Sequence, residues 1–159
     1  MEQKPLPDDF KDFIKCLNSN NVRYLLIGGW AVGLHGSPRA TKDIDFLVAI
    51  DNENLERLQK ALLDFNAPPF NIKSFGKSGS VIRMGRSPIQ IDIINKADGI
   101  DMEDVYPRKT LMNVDGLDIQ VVSKDDLITN KRASGREQDT ADAAKLEKHK
   151  KKKNKQSAP

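Results

Sequence analysis

The sequence predicts an α/β fold of the α+β kind, in which strands and helices share one core, and three observations point to it. Apolar runs of strand length recur at 22–27, 43–50, 81–84, 89–95, 110–114 and 117–122. Between several of them the apolar residues repeat every three or four positions, the spacing of one helix face. Two pairs of runs are joined by turn-forming residues, Gly85-Arg86-Ser87-Pro88 and Asp115-Gly116, and these read as hairpins.

A chain of 159 residues, 31% charged and 38% apolar, suits one compact domain and is too short for two ordinary ones. No apolar run reaches the ~20 residues of a membrane helix, and the opening MEQKPLPDDF lacks the apolar core of a secretion signal. A cytoplasmic protein with no membrane partner is expected. The single Cys16 excludes an internal disulfide and a cysteine-built zinc site, and its place on the apolar side of a helix makes it core filler. The net charge of +3 is unevenly divided, because residues 145–159 hold seven lysines against Glu147, or +6, which leaves −3 on residues 1–144. We expect a domain over 1–146 and a basic, disordered tail over 147–159. Two readings of that tail stand side by side: a solvated segment, which its composition favours, and a contact for RNA or another polyanion through counterion release.

In chain order, Asp8 or Asp9 is expected to cap a helix whose Phe10, Phe13, Ile14 and Leu17 share a face. Val22 to Ile27 is a strand apolar on both sides, hence buried. Gly28-Gly29 closes it, a short helix over Trp30 to His35 follows, and Gly36-Ser37-Pro38 stops that helix. Asp43 to Ile50 is a second strand, with Ile44, Phe46 and Val48 on one face and Asp43 and Asp45 on the other. Asp51 or Asn52 then caps a helix with Leu55, Leu58, Leu62 and Phe65 on its buried side, ended by Ala67-Pro68-Pro69. Segment 70–80 reads as a loop with a short strand at Asn71 to Phe75. In the strand 89–95 the residues Ile89, Ile91 and Ile93 alternate with Gln90 and Asp92, so Asp92 stands on a polar face where an unpartnered charge is costly. A short helix at Met102 to Tyr106 and the hairpin at Asp115-Gly116 come next. Ser123 with Asp126 forms an approximate capping box for a helix through Leu127, Ile128 and Lys131, and after Gly135 a last helix carries Ala141, Ala144 and Leu146.

The chemistry-bearing residues gather in the first third. Gly28 and Gly29 lack Cβ, so phosphate can approach the amides of the following helix. Asp43 and Asp45 are a pair of carboxylates suited to Mg2+ (or Mn2+), hard cations that prefer oxygen ligands. Asp92, on the polar face of its own strand, would bind a second metal or accept a hydroxyl proton. Such a set serves transfer of a nucleotide from a nucleoside triphosphate to an acceptor hydroxyl.

Gly28-Gly29, a spacer of thirteen residues and Asp43-Ile44-Asp45-Phe46 resemble the signature of the nucleotidyltransferase superfamily that includes DNA polymerase beta, a glycine pair or Gly-Ser followed by D-h-D-h with h apolar. GGWAVGLHG and TKDIDFLV are similar to the small bacterial branch with lincosamide and aminoglycoside nucleotidyltransferases and the abortive-infection toxins of type IV toxin–antitoxin systems. VSKDDLITNKRASGREQDTADAAKL resembles that branch's closing helices. The resemblance implies a minimal nucleotidyltransferase fold, a mixed β-sheet flanked by helices and open on one face to the site. It implies nucleotide binding by Gly28, Gly29 and Lys131, and Asp43, Asp45 and Asp92 as catalytic metal ligands. An unidentified acceptor and an antitoxin are the partners it suggests. Gly29 stands where many members have serine, which removes a hydroxyl contact and keeps the amide. Arg39, Thr41 and Lys42 lie where a loop can reach phosphate, although a plain polar loop reads equally well. Arg136, Asp139 and Asp142 are expected to pair and fix the last helices, and Trp30 and His35 to be packing residues.

Overall fold

A computed structural model describes residues 5–38, 40–77, 79–86 and 88–157, with the backbone alone over 149–157. Among them are seven α-helices and six strands. The order is α1 (Asp8–Ser19), β1 (Tyr24–Ile27), α2 (Gly28–Leu34), β2 (Asp43–Val48), α3 (Asn52–Asp64), α4 (Ile72–Phe75), β3 (Val81–Arg86), β4 (Ile89–Ile94), α5 (Met102–Val105), a 3-10 turn (Tyr106–Arg108), β5 (Thr110–Val114), β6 (Leu117–Val121), α6 (Lys124–Ser134) and α7 (Glu137–Ser157). The strands form one mixed sheet in the order β3-β4-β2-β1-β6-β5. β1 runs antiparallel to β2 and parallel to β6, β2 is parallel to β4, and the two hairpins β3/β4 and β5/β6 supply the outer strands. The mixed sheet flanked by helices is the architecture expected.

The sheet's middle position explains the apolar character of β1, whose four residues are all buried. Phe46 of β2 is the hub of the core. Its ring meets Phe13 of α1 at 5.5 Å and Tyr24 of β1 at 5.7 Å, both edge-on, and Phe13 also meets Phe65 beyond α3 at 5.1 Å. Such pairs add about 1 kcal/mol each beyond the area they bury. Because side chains alternate along a strand, the residues flanking Phe46 point away from this core. One of them is Asp45.

Several local expectations change. Pro7 occupies the position before α1 and no side chain caps it, so Asp8 and Asp9 lie in the first turn, where their charge still suits the helix N-terminus. α2 begins at Gly28 instead of Trp30. Asn71–Phe75 is not a strand; the Asn71 side chain accepts a hydrogen bond from Ser74 N at 3.2 Å and starts the turn of α4. Cys16 is half-buried against the core rather than within it. The backbone of α7 runs to Ser157. Lysine and glutamine are good helix formers, and extending an anchored helix needs no new nucleus. Among the described residues no helix is long and apolar enough to cross a membrane.

Asn54 shows how the ends of β1 and β2 are held. Wholly buried, its side chain accepts from Arg23 N at 2.7 Å and donates to Ala49 O at 2.7 Å and Arg23 O at 3.1 Å. Asn54→Ala should therefore leave buried backbone groups unpaired and lower stability by about 2 kcal/mol, read as a lower midpoint in urea unfolding with an unchanged slope.

Candidate active site

Strand register brings the carboxylates together. Asp45 of β2 is the register partner of Asp92 of β4, and Asp43 is paired with Gln90 one alternation earlier. Adjacent strands lie ~4.8 Å apart, so Asp43, Asp45 and Asp92 share a single patch on the sheet face turned from Phe46. The patch lines a cleft of about 550 Å³, whose lining also includes Gly28 and Gly29 at the start of α2, and Lys131 and Arg136 from the α6–α7 junction.

Gly28 belongs there for two reasons. Its φ of +74° is left-handed, and a Cβ on it would collide with Asp45 Oδ2. Any other residue would be strained by about 1–2 kcal/mol and would push the carboxylate aside. The first-turn amides of α2 thus lie beside Asp45, as a nucleotide held by both would require. With only seven residues, α2 offers these individual amides more than a macrodipole.

Lys131 is buried, contrary to the usual place of a helix lysine. Its Nζ donates to Asp139 Oδ1 at 2.9 Å and lies 3.5 Å from Asp142 Oδ2. Arg136 Nε pairs with Asp139 Oδ2 at 3.1 Å, and the Ser134 hydroxyl donates to the same oxygen at 2.5 Å. Those hydrogen bonds and the Lys131 and Arg136 charges outweigh burial and hold the Asp139 carboxyl below its usual value. Gly135, left-handed at φ +70°, turns α6 into α7 and so sets the two cations beside the cleft. The pairing expected for Arg136, Asp139 and Asp142 is present, and Lys131 is its centre.

Asp45 feels the crowding most. Burial, and then the charges of Asp92 and Asp43, push its carboxyl up to about 6 from 3.8, against the pull of Lys131 and Arg136. Asp43 Oδ1 is buried with no hydrogen-bond partner among the described residues. Asp92, by contrast, accepts from Arg83 Nε at 2.9 Å and from Gln90 Nε2 at 3.2 Å and 3.3 Å. Among the described residues no group of three carboxylate, imidazole or thiol side chains stands ready to hold an ion. A carboxylate oxygen with no hydrogen-bond partner among the described residues, beside a carboxyl raised by burial and like charge, nevertheless fits a hard divalent cation, which takes its other ligands from water and substrate phosphate.

Thr41 and Lys42 precede β2 and are not among the cleft-lining residues described, and Arg39 lies outside the described residues. Trp30 is buried with its ring 6.1 Å from Phe10, and His35 Nε2 donates to Val122 O at 2.7 Å, tying α2 to the end of β6; both are packing residues. Sequence reasoning missed Lys96, Asn130, Ser134 and Gln138 in the cleft lining, and Arg83 as the partner of Asp92. The signal for Arg83 was available. A hairpin in which Arg86 pairs with Ile89 sets residues 83 and 92 opposite each other.

A mixed sheet carrying three carboxylates beside a glycine turn defines a class of proteins, the nucleotidyltransferases. The chain belongs to the family described as nucleotidyltransferase of unknown function (DUF6036), whose profile matches residues 9–148. The fold is similar to that of an antigenic nucleotidyltransferase-like protein from Paracoccidioides brasiliensis, with 18% identity and a TM-score of 0.51 over 90% of this chain and 76% of that one. It is also similar to the antibiotic-resistance factor ANT(2'')-Ia, with 13% identity and a TM-score of 0.50 over 87% and 80% of the two chains. A comparison with curated protein sequences returns no significant match.

The raised Asp45 carboxyl has a consequence for stability. Its proton binds the folded state more tightly than the unfolded one, so the stability it contributes is full below pH 3.8 and is lost as the pH rises through about 6. Asp45→Asn, which cannot ionise, should match the metal-free wild type near pH 4. At pH 8 it should melt at least ~3 °C higher, the shift that about 1 kcal/mol produces in a domain of this size, as followed by circular dichroism.

Proposed function

We propose that this nucleotidyltransferase is metal-dependent and moves a nucleoside monophosphate from a nucleoside triphosphate to an acceptor hydroxyl at the cleft of Asp43, Asp45 and Asp92. The observation that carries the reading is the β2–β4 register, which sets Asp45 beside Asp92 with Gly28 against the Asp45 carboxylate. Asp43, Asp45 and Asp92 would hold Mg2+ or Mn2+, and a cation held there would supply positive charge against the charge that develops in the transfer. The amides of Gly28 and Gly29 bind and orient the triphosphate. Lys131, held in place by Asp139 and Asp142, contributes positive charge to the same cleft, while Thr41 and Lys42, in the loop before β2, would meet the triphosphate only from outside the described lining. Asp92 takes the acceptor's hydroxyl proton as the oxygen attacks the α-phosphorus. The bond to the β-phosphate breaks and pyrophosphate leaves.

Three acceptor classes follow: a small molecule, as the antibiotic-resistance role of ANT(2'')-Ia suggests; an RNA brought in by the lysine-rich tail; and a protein, as for a toxin paired with an antitoxin. A second reading, a cytoplasmic domain that binds nucleotide or a partner without turnover, draws on the engagement of Asp92 by Arg83 and Gln90. Incubation with each α-labelled nucleotide and Mg2+ or Mn2+, alone and with antibiotics, cell RNA or lysate protein, separates these readings. Label should appear on one acceptor class, and Asp43→Asn or Asp45→Asn should reduce it about a hundredfold or more while the far-ultraviolet spectrum is unchanged. Transfer by the double variant would refute the assignment.

A further inference from the structure

The cations nearest the carboxylates are not equivalent. Lys131 and Arg136 are committed to Asp139 and Asp142, carboxylates outside the β2–β4 patch. Arg83 is different, because its partner is Asp92 itself. Its charge also acts on Asp43 and Asp45. Arg83 sits on β3, the edge strand of the sheet, directly across the register from Asp92. The two ends of the pair differ sharply in environment, since the Asp92 side chain is 11% exposed and that of Arg83 is 63% exposed.

We propose that Arg83 is a resident counter-cation of the carboxylate site: it holds Asp92 while the site is free of metal and gives it up when a divalent cation loads. The inference rests on the reading of Asp43, Asp45 and Asp92 as metal ligands. Three carboxylates on one face repel, and the buried Asp92 needs a positive partner at all times. Arg83 supplies one at low cost. It contacts Asp92 through Nε alone instead of the two-pronged fork that makes arginine–carboxylate pairs strong. Its exposed guanidinium is hydrated on leaving, so the exchange sacrifices little. A guanidinium and a divalent cation cannot both occupy one side of the same carboxylate, so the two compete. Loading would then be coupled to release of an arginine on the edge strand of the sheet.

The test measures Mn2+ binding to the full chain without nucleotide, by electron paramagnetic resonance of the free ion. Arg83→Gln removes the competitor from an exposed edge position, and its dissociation constant for Mn2+ should fall about tenfold, as expected for loss of one like charge near the site. Arg83→Lys keeps the charge and should bind as the wild type does, and so should Arg86→Gln, which removes a charge elsewhere on the same strand. Equal affinity in Arg83→Gln and wild type would overturn the counter-cation role while leaving the metal site standing. Tightening by Arg83→Lys as large as that by Arg83→Gln would overturn it too, since the charge would not be the competitor. Absence of Mn2+ binding in every protein would overturn both this inference and the metal reading beneath it.

Discussion

The constraint on which the rest of the structure depends is the parallel pairing of β2 with β4, which forces carboxylates of neighbouring strands to share a face. Asp45 and Asp92 are register partners, with Asp43 on the same face of β2. Repulsion among them would be destabilising in any protein that had no use for it. The surroundings answer with different devices at different residues. Asp92 is satisfied by hydrogen bonds from Arg83 and Gln90, Asp45 is relieved by a raised proton affinity, and Asp43 keeps a buried oxygen without a hydrogen-bond partner among the described residues.

The same strand that creates the strain also supplies the anchorage. Phe46 stands between α1 and β1 in the core, and its position fixes Asp45 on the other face. The α6–α7 junction provides a second rigid support. A buried ion pair contributes little net stability by itself, but removing one partner is costly, so Lys131 with Asp139 and Asp142 holds its geometry firmly. Gly28 closes the arrangement, since its lack of a side chain lets the chain leaving β1 lie against the Asp45 carboxylate. The carboxylates and the amides at the start of α2 are thereby kept at short range by parts of the fold far apart in sequence.

Much of this was legible in the sequence where the determinants are local. The alternation Asp43-Ile44-Asp45-Phe46 declares which side chains face the core and which do not, because a strand's period of two leaves no choice. The Ser123–Asp126 cap, the Asp115-Gly116 turn and the face of α1 are likewise local rules, and all are present. Asn71–Phe75 failed because a single side-chain hydrogen bond outweighs weak strand propensity in so short a segment. Lys131 defied the default for a helix lysine because its burial depends on two aspartates on the next helix.

By itself the sequence determined the elements, the faces of the strands and the residue types suited to nucleotidyl transfer. Only the tertiary structure decided that β4 lies beside β2, so that Asp92 joins Asp43 and Asp45, and that β1 rather than a hairpin strand occupies the other side. The physical reason is that pairing between strands distant in the chain depends on how the whole core closes. No residue's own neighbours encode it, whereas alternation and capping are complete within a few residues.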